Sequence, residues 1–166
     1  MDPVLYNTHV KLLAFDLLSL IPTSTDPPSF SRQGKLPLSR AETVGVVVTR
    51  ELKPNKFLKF SVDDGSGCIP CILWLNHLSS PYFSRRCPSD VRLIASMADR
   101  FQSLIQLGVV TRIRGRITHY RGSVQLTVSD VVVERDPNVE ILHWLECIKL
   151  ARECYNLVNV PSCKRN

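Results

Sequence analysis

The stretches VGVVVTREL (44–52), FLKFSVD (57–63), CIPCILWL (68–75), VVTRIRGRITHY (109–120) and SVQLTVSDVVV (123–133) decide the fold of this chain. Each is short, rich in β-branched or aromatic residues, and bounded by turn residues, which is the signature of a strand. In the second, Leu58, Phe60 and Val62 alternate with Phe57, Lys59 and Ser61, so one face is apolar and the other polar. Lys53 to Lys56 reads as a turn, and Asp64-Gly65-Ser66-Gly67 as a hairpin. In the third, Ile69, Cys71, Leu73 and Leu75 share one face, and Pro70, Ile72 and Trp74 the other; Pro70 marks an edge or a bulge. Arg112, Arg114 and Arg116 lie opposite Ile113, Gly115 and Ile117 in the fourth. Arg121-Gly122 turns the chain into the fifth, whose Val124, Leu126 and Val128 face the core and whose Val131 to Val133 run predicts fuller burial. Between the third and fourth, Val91, Ile94, Met97, Phe101, Leu104 and Ile105 repeat at helical spacing, from a start at Ser89 or Asp90 to a stop at Gly108. Five strands in this order, with a helix after the third, describe a Greek-key barrel.

The flanks are read from caps and breakers. Residues 1–21 predict one helix, with Asp2 as cap, Pro3 at its first position and Pro22 beyond its end. Residues 22–41 hold four prolines among Ser and Thr and predict an exposed loop. The barrel occupies 42–135. Asp136-Pro137 opens a last helix over 136–156, followed by a tail, 157–166. On that helix Ile141, Trp144, Leu145, Ile148, Ala151 and Tyr155 make one stripe, widened by further apolar residues. So wide an apolar face needs a cover, either the N-terminal helix or another protein.

Composition sets bounds. The chain has 166 residues, 44% of them hydrophobic and 22% charged, as an ordinary globular domain has. Lys and Arg number 21 against 15 acidic residues, a net charge of +6 that favours polyanionic partners. No apolar run is long enough for a membrane helix, and Met-Asp-Pro does not begin a secretory signal, so the six cysteines are expected as thiols in a reducing compartment.

The chemistry points to binding. Alternating arginines form a ladder with rungs about 6.6–7 Å apart, close to the phosphate repeat of an extended strand. A small barrel with a basic, aromatic-edged face is how oligonucleotide-binding (OB) folds hold single strands. The fold expected is therefore an all-β core with flanking helices, a single five-stranded OB-fold Greek-key barrel. Trp74 points away from the core, where it either stacks on a base or packs under the next loop. Tyr120 and Arg121 lie in the hairpin that OB folds use for ligands, and Lys59 is a further basic candidate. The ladder is either a phosphate track or a solvated face paired with carboxylates on adjacent strands. Cys68 and Cys71 fall on opposite strand faces and no second pair follows, which argues against zinc. The histidines at 9, 77, 119 and 143 are scattered, Asp63 and Asp64 bend a turn, and no phosphate cradle or nucleophile elbow appears. No catalytic residue, metal or cofactor is expected.

Gly45 before a β-run, Val62-Asp63-Asp64-Gly65-Ser66-Gly67, Cys71-Ile72-Leu73-Trp74, and Arg112-Ile113-Arg114-Gly115 leading to Tyr120-Arg121 together resemble the Stn subunit of the telomere-capping CST complex, in its short, plant-type form. The leader Pro3-Val4-Leu5-Tyr6 and the Asp136-Pro137 helix extend the likeness over nearly the whole chain. The middle subunit of replication protein A shares much of this layout. The resemblance implies Ctc and Ten partners, single-stranded telomeric DNA, chromosome-end protection with DNA polymerase α–primase, and a nuclear, telomeric location. It implies an aromatic DNA contact at Trp74 and a Ten-facing last helix bearing Ile141, Trp144, Leu145, Ile148 and Tyr155. A basic residue of the family is replaced by Thr118, a gap in the phosphate track. Longer members carry winged-helix domains after the barrel, which the sequence here does not continue into. The competing expectation is an OB scaffold that binds proteins and touches no DNA.

Overall fold

Strands form where side chains alternate, and shorter elements than expected flank them. The computed structural model describes residues 3–24, 28–32 and 37–155; the cap at Asp2 and the tail lie outside the described residues. In chain order the elements are α1 (Pro3–Asn7), β1 (His9–Lys11), α2 (Ala14–Leu18), β2 (Ile21–Thr23), β3 (Ser29–Ser31), β4 (Arg40–Lys53), β5 (Phe57–Asp63), β6 (Cys68–Trp74), α3 (Pro88–Leu104), β7 (Val110–Tyr120), β8 (Ser123–Val133) and α4 (Asn138–Glu153).

One long strand closes the barrel. The first half of β4 pairs antiparallel with β7 and its second half with β5, and Val46 is opposite both Asp63 and Val110. With β5–β6, β6–β8 and β7–β8 paired as well, the order β4-β5-β6-β8-β7 returns to β4. The register of β4 on β5 shifts between Val47 and Thr49, the bulge that lets one strand serve both neighbours. Two glycines sit where strands crowd together. A Cβ on Gly45 would lie 2.3 Å from the Asp63 carbonyl oxygen, and one on Gly115 would lie 2.4 Å from that of Thr127. The barrel interior is filled by Val47, Leu58, Phe60, Val62, Ile69, Leu73, Ile113, Ile117 and Leu126, all buried. Helix α3 closes one end with Ala98, Phe101 and Ile105, while Met97, expected inside, is exposed. The Arg50 guanidinium donates to the Ile105 carbonyl at 2.8 Å and so satisfies the C-terminus of α3.

Four expectations need correction. The single helix over 1–21 is instead two short helices around a strand. β1 adds in parallel to the edge of β4, with His9 to Lys11 opposite Arg40 to Glu42, and the Leu12 amide donates to the Glu42 carbonyl at 3.2 Å. Buried Val10, Leu12, Leu13, Leu17 and Leu20 reach the core from this irregular path, so a broad apolar pattern does not mean a helix here. The loop over 22–41 holds the β2–β3 hairpin, and Phe30 and Leu38 exchange backbone hydrogen bonds and are both buried. In the Val131 to Val133 run only Val131 is buried; β8 keeps its alternation and Val132 faces out. The apolar stripe of α4 divides. His143, Cys147, Ala151 and Tyr155, spaced by four, face the barrel, while Ile141, Leu145 and Ile148 face outward. Tyr155, expected on the partner stripe, is only 5% exposed.

Candidate nucleic-acid interface

The outward face of the barrel carries Phe57, Lys59 and Ser61 on β5, Pro70 and Trp74 on β6 with Ile72 buried between them, Gln125 and Thr127 on β8, and Arg116, Thr118 and Tyr120 on β7. These residues adjoin through strand register: Phe57 is opposite Trp74, Lys59 opposite Ile72, Ile72 beside Thr127, and Thr127 opposite Arg116. At one end Trp74 is exposed and meets Phe57 edge-on, ring centroids 6.0 Å apart. At the other, Tyr120 is exposed, with the Lys59 ammonium 5.5 Å and the Arg121 guanidinium 5.2 Å from its ring centre. Lys59 also lies 5.0 Å from the Phe57 ring, so the ammonium bridges two aromatic groups. Arg121 takes a left-handed backbone, φ 50°, in the tight turn before Gly122. Among the described residues, none of Lys59, Arg116 and Arg121 is in an ion pair.

The arginine ladder divides by partner. Arg114 Nε donates to Glu42 Oε2 at 2.6 Å, and a further oxygen, of Asp130, stands 4.0 Å from its Nη1. Arg112 pairs with Glu134 at 2.6 Å and stands 4.0 Å from Glu42. Glu42 is only 4% exposed, so its charge is held between two guanidiniums. The register explains this: Glu42 is opposite Arg114 on β4, and Asp130 opposite it on β8. Two of the three rungs therefore neutralise acidic residues. Of the three, Arg116 alone presents a guanidinium with no ion pair among the described residues, beside Trp74. At the gap position, Thr118 Oγ1 lies 3.1 Å from Thr127 Oγ1, a cross-strand hydroxyl pair.

Residues outside the barrel strands complete the Trp74 end. The loop after β6 turns through a 3₁₀ helix, Pro81–Phe83, and places Tyr82 and Phe83 around a cavity shared with Trp74 and Arg116. Their rings stand edge to face at 5.0 Å, and the Arg86 guanidinium lies 5.8 and 5.4 Å from them. A cavity of about 440 Å³ opens between this loop and the sheet, lined by Trp74, Asn76, His77, Tyr82 and Arg116 among others. Strand periodicity does not single out Tyr82; two adjacent aromatic residues in a Ser- and Pro-rich segment are the signal that could find it.

On the opposite side, the Asp64 turn anchors the flanks. Asp64 Oδ2 accepts from the Ala14 amide at 2.7 Å and so caps α2, which has no side-chain cap of its own. Its Oδ1 accepts from the Ser66 amide and hydroxyl, and its carbonyl accepts from the Trp144 indole at 2.6 Å. Trp144 thus attaches α4 to the barrel. Lys11 pairs with Glu146 across the same junction and holds the Glu146 carboxyl below its usual range. Beneath it, His143 Nε2 lies 3.3 Å from the Cys147 sulfur; burial lowers the His143 pKa and pushes the Cys147 thiol up to about 12. Beyond these anchors α4 leaves Ile141 and Leu145 exposed at 61% and 60%, with Ile148 alongside. Cys68 is exposed and Cys71 buried, so the two do not converge. No helix among the described residues is long and apolar enough to cross a membrane.

Known proteins share this architecture. No protein-family model matches the chain. The crystal structure of the S. pombe Stn1–Ten1 complex contains a chain that superposes with a TM-score of 0.69 at 17% identity, covering 91% of this chain and 96% of that one. A replication protein A heterotrimer bound to ssDNA contains one with a TM-score of 0.65 at 19% identity, covering 89% and 98%. Both show the OB fold. By sequence, the CST complex subunit STN1 of Ailuropoda melanoleuca is 29% identical over 94% of this chain, which spans only 44% of that longer protein. The CST complex subunit STN1 of Arabidopsis thaliana is 51% identical over 157 residues, 95% of this chain and 98% of that one. With half its residues shared across nearly the full length of both, the chain belongs to the STN1 family of CST complex subunits.

Proposed function

We propose that this chain is a non-catalytic subunit that holds single-stranded telomeric DNA on its outward β-face within a CST complex. In this reading it works in the nucleus at chromosome ends, in end protection and in strand fill-in with DNA polymerase α–primase. One observation carries the DNA contact. A continuous face runs from Trp74 through Phe57 and Lys59 to Tyr120, and its cations Lys59, Arg116 and Arg121 have no acidic partner among the described residues. Exposed rings supply stacking and free cations supply phosphate contacts, the two parts of single-strand binding. A replication protein A heterotrimer that contains a chain of similar fold was solved bound to ssDNA, which supports single-strand binding as the use of such a fold.

The outer row of α4 is the proposed Ten-facing surface. Ile141, Leu145 and Ile148 stand exposed in one line, with Trp144 at its edge, and a structural neighbour is a Stn1 in complex with Ten1. Ctc is the third partner of this assembly. Tyr155 contributes by fixing the helix to the barrel rather than by touching a partner.

The test is a salt titration of single-strand affinity on the chain assembled with its Ten and Ctc subunits. The double variant Arg116→Glu with Lys59→Glu is expected to weaken binding at least tenfold and to make the slope of log K against log salt shallower by about 1.4, two phosphate contacts on a single strand. An unchanged slope in a normally assembled complex would show that this face touches no DNA, and the scaffold reading would replace it.

A further inference from the structure

The cavity beside Trp74 differs from the rest of the face. At the Tyr120 end the ring lies on an open surface with cations above it. At the Trp74 end the loop after β6 builds a second wall, so an aromatic platform becomes a slot. Tyr82, on that wall, is held by Phe83 and Arg86 yet is 73% exposed, so most of its ring is open to a ligand. A volume of about 440 Å³ lies within the range of small-molecule sites, far beyond what a single phosphate needs.

The polar lining is equally unspent. Arg116 has no ion pair among the described residues, and the Ser80 hydroxyl and Asn76 amide have no side-chain hydrogen bond there. Asn offers a donor and an acceptor side by side, which matches the edge of a base, and arginine can serve a base edge or a phosphate. Aromatic walls with a few polar groups at the margin suit a flat, polar-edged heterocycle better than an anion.

We infer that this cavity is a nucleobase pocket: one base of the bound strand leaves the stack and enters between Trp74 and Tyr82, with its edge toward Asn76 and Arg116. The inference rests on the single-strand reading above and adds to it. Binding is then uneven along the strand. Bases over Tyr120 stack in the open and are replaceable, while one base is enclosed and is not. Tyr82 sets this position, and the loop that carries it is part of the site.

The experiment is abasic scanning. Single-stranded telomeric-repeat oligonucleotides, each lacking one base at a successive position, are titrated into the assembled complex. Wild-type complex and complexes carrying Tyr82→Ala and Tyr82→Phe are compared. The expected result is one position at which base removal costs about tenfold in wild type, within the range of a base–aromatic stack. That penalty disappears in Tyr82→Ala and returns in Tyr82→Phe, which keeps the ring. Tyr82 is exposed, so the variants are expected to fold and assemble normally, checked by melting. If the scan is the same in Tyr82→Ala as in wild type, the pocket is not a base site, although the strand still binds the face. If the double Arg116 and Lys59 variant binds as wild type does, the single-strand reading fails, and the pocket with it.

Discussion

Arg112, Arg114 and Arg116 are the same residue at three successive positions on one face, and their surroundings assign them different work. Arg114 neutralises a carboxylate that is out of water. Its removal leaves Glu42 buried with Arg112 as a distant partner, so Arg114→Gln is expected to cost about 2–3 kcal/mol, toward the low end for a broken buried pair because Arg112 compensates in part. Arg116→Gln, on an exposed and unpaired side chain, is expected to stay within about 0.5 kcal/mol of wild type. Urea unfolding of the two variants checks this, and equal losses would mean that the ladder is uniform. The sequence shows why only half of this is legible in advance. Alternation places all three guanidiniums on one face, and the structure agrees. The partner Glu42 is 72 positions from Arg114, and only the β4–β7 register brings them together. A ladder read alone therefore overstates the free charge.

Elements show the same division between local and distant causes. The strands β5 and β6 follow from alternation, and their bounds fall where the turns Lys53 to Lys56 and Asp64 to Gly67 put them. The N-terminal segment escapes a local reading because its order comes from elsewhere. α2 has five residues, too short to persist alone; its first amide is capped by Asp64, fifty positions away, and the Phe15 amide by the Ser66 hydroxyl. The same carboxylate holds the Ser66 turn, and the neighbouring carbonyl holds Trp144 of α4. Asp64→Ala keeps the carbonyl that holds Trp144 but removes the carboxylate, so it should loosen α2 and the Ser66 turn together and cost about 3 kcal/mol or more, since hydrogen bonds to a charged group contribute about 1.5–3 kcal/mol each. Hydrogen exchange on Asp64→Ala is expected to show faster exchange at Ala14 and Phe15 than at the amides of β5. Uniform acceleration across the barrel would mean that Asp64 serves the barrel and not the flanks.

For the molecule as a whole, the junction of β1, β4 and α4 makes stability depend on pH. His143 lies there, buried, with Glu42 and Asp64 favouring its proton and Lys11 opposing it; burial is the largest influence and lowers its pKa from 6.5. His77, chiefly through burial, and His9, through burial and Arg40, are lowered as well. Above pH 6.5 these rings are neutral in the folded and unfolded chain alike, and they set no pH dependence. Below it, the unfolded chain binds protons that the folded chain refuses, so stability falls as pH falls toward the lowered values. Each histidine contributes at most about 1.4 kcal/mol per pH unit. Asp16, raised by burial against the pull of Arg32, acts with the opposite sign, in a window that runs upward from its ordinary 3.8 to its raised value. There the folded chain takes up a proton before the unfolded chain does. The urea midpoint is therefore expected to fall between pH 7.5 and 5.5, and to fall less in His143→Gln. A midpoint that is flat over this range in wild type would mean that the junction admits the proton, and that α4 is held more loosely than its buried His143–Cys147 contact implies. A loosened α4 would also tilt the exposed row of Ile141, Leu145 and Ile148. If that row is the Ten-facing surface, partner affinity should decline over the same pH interval and follow the same His143 dependence.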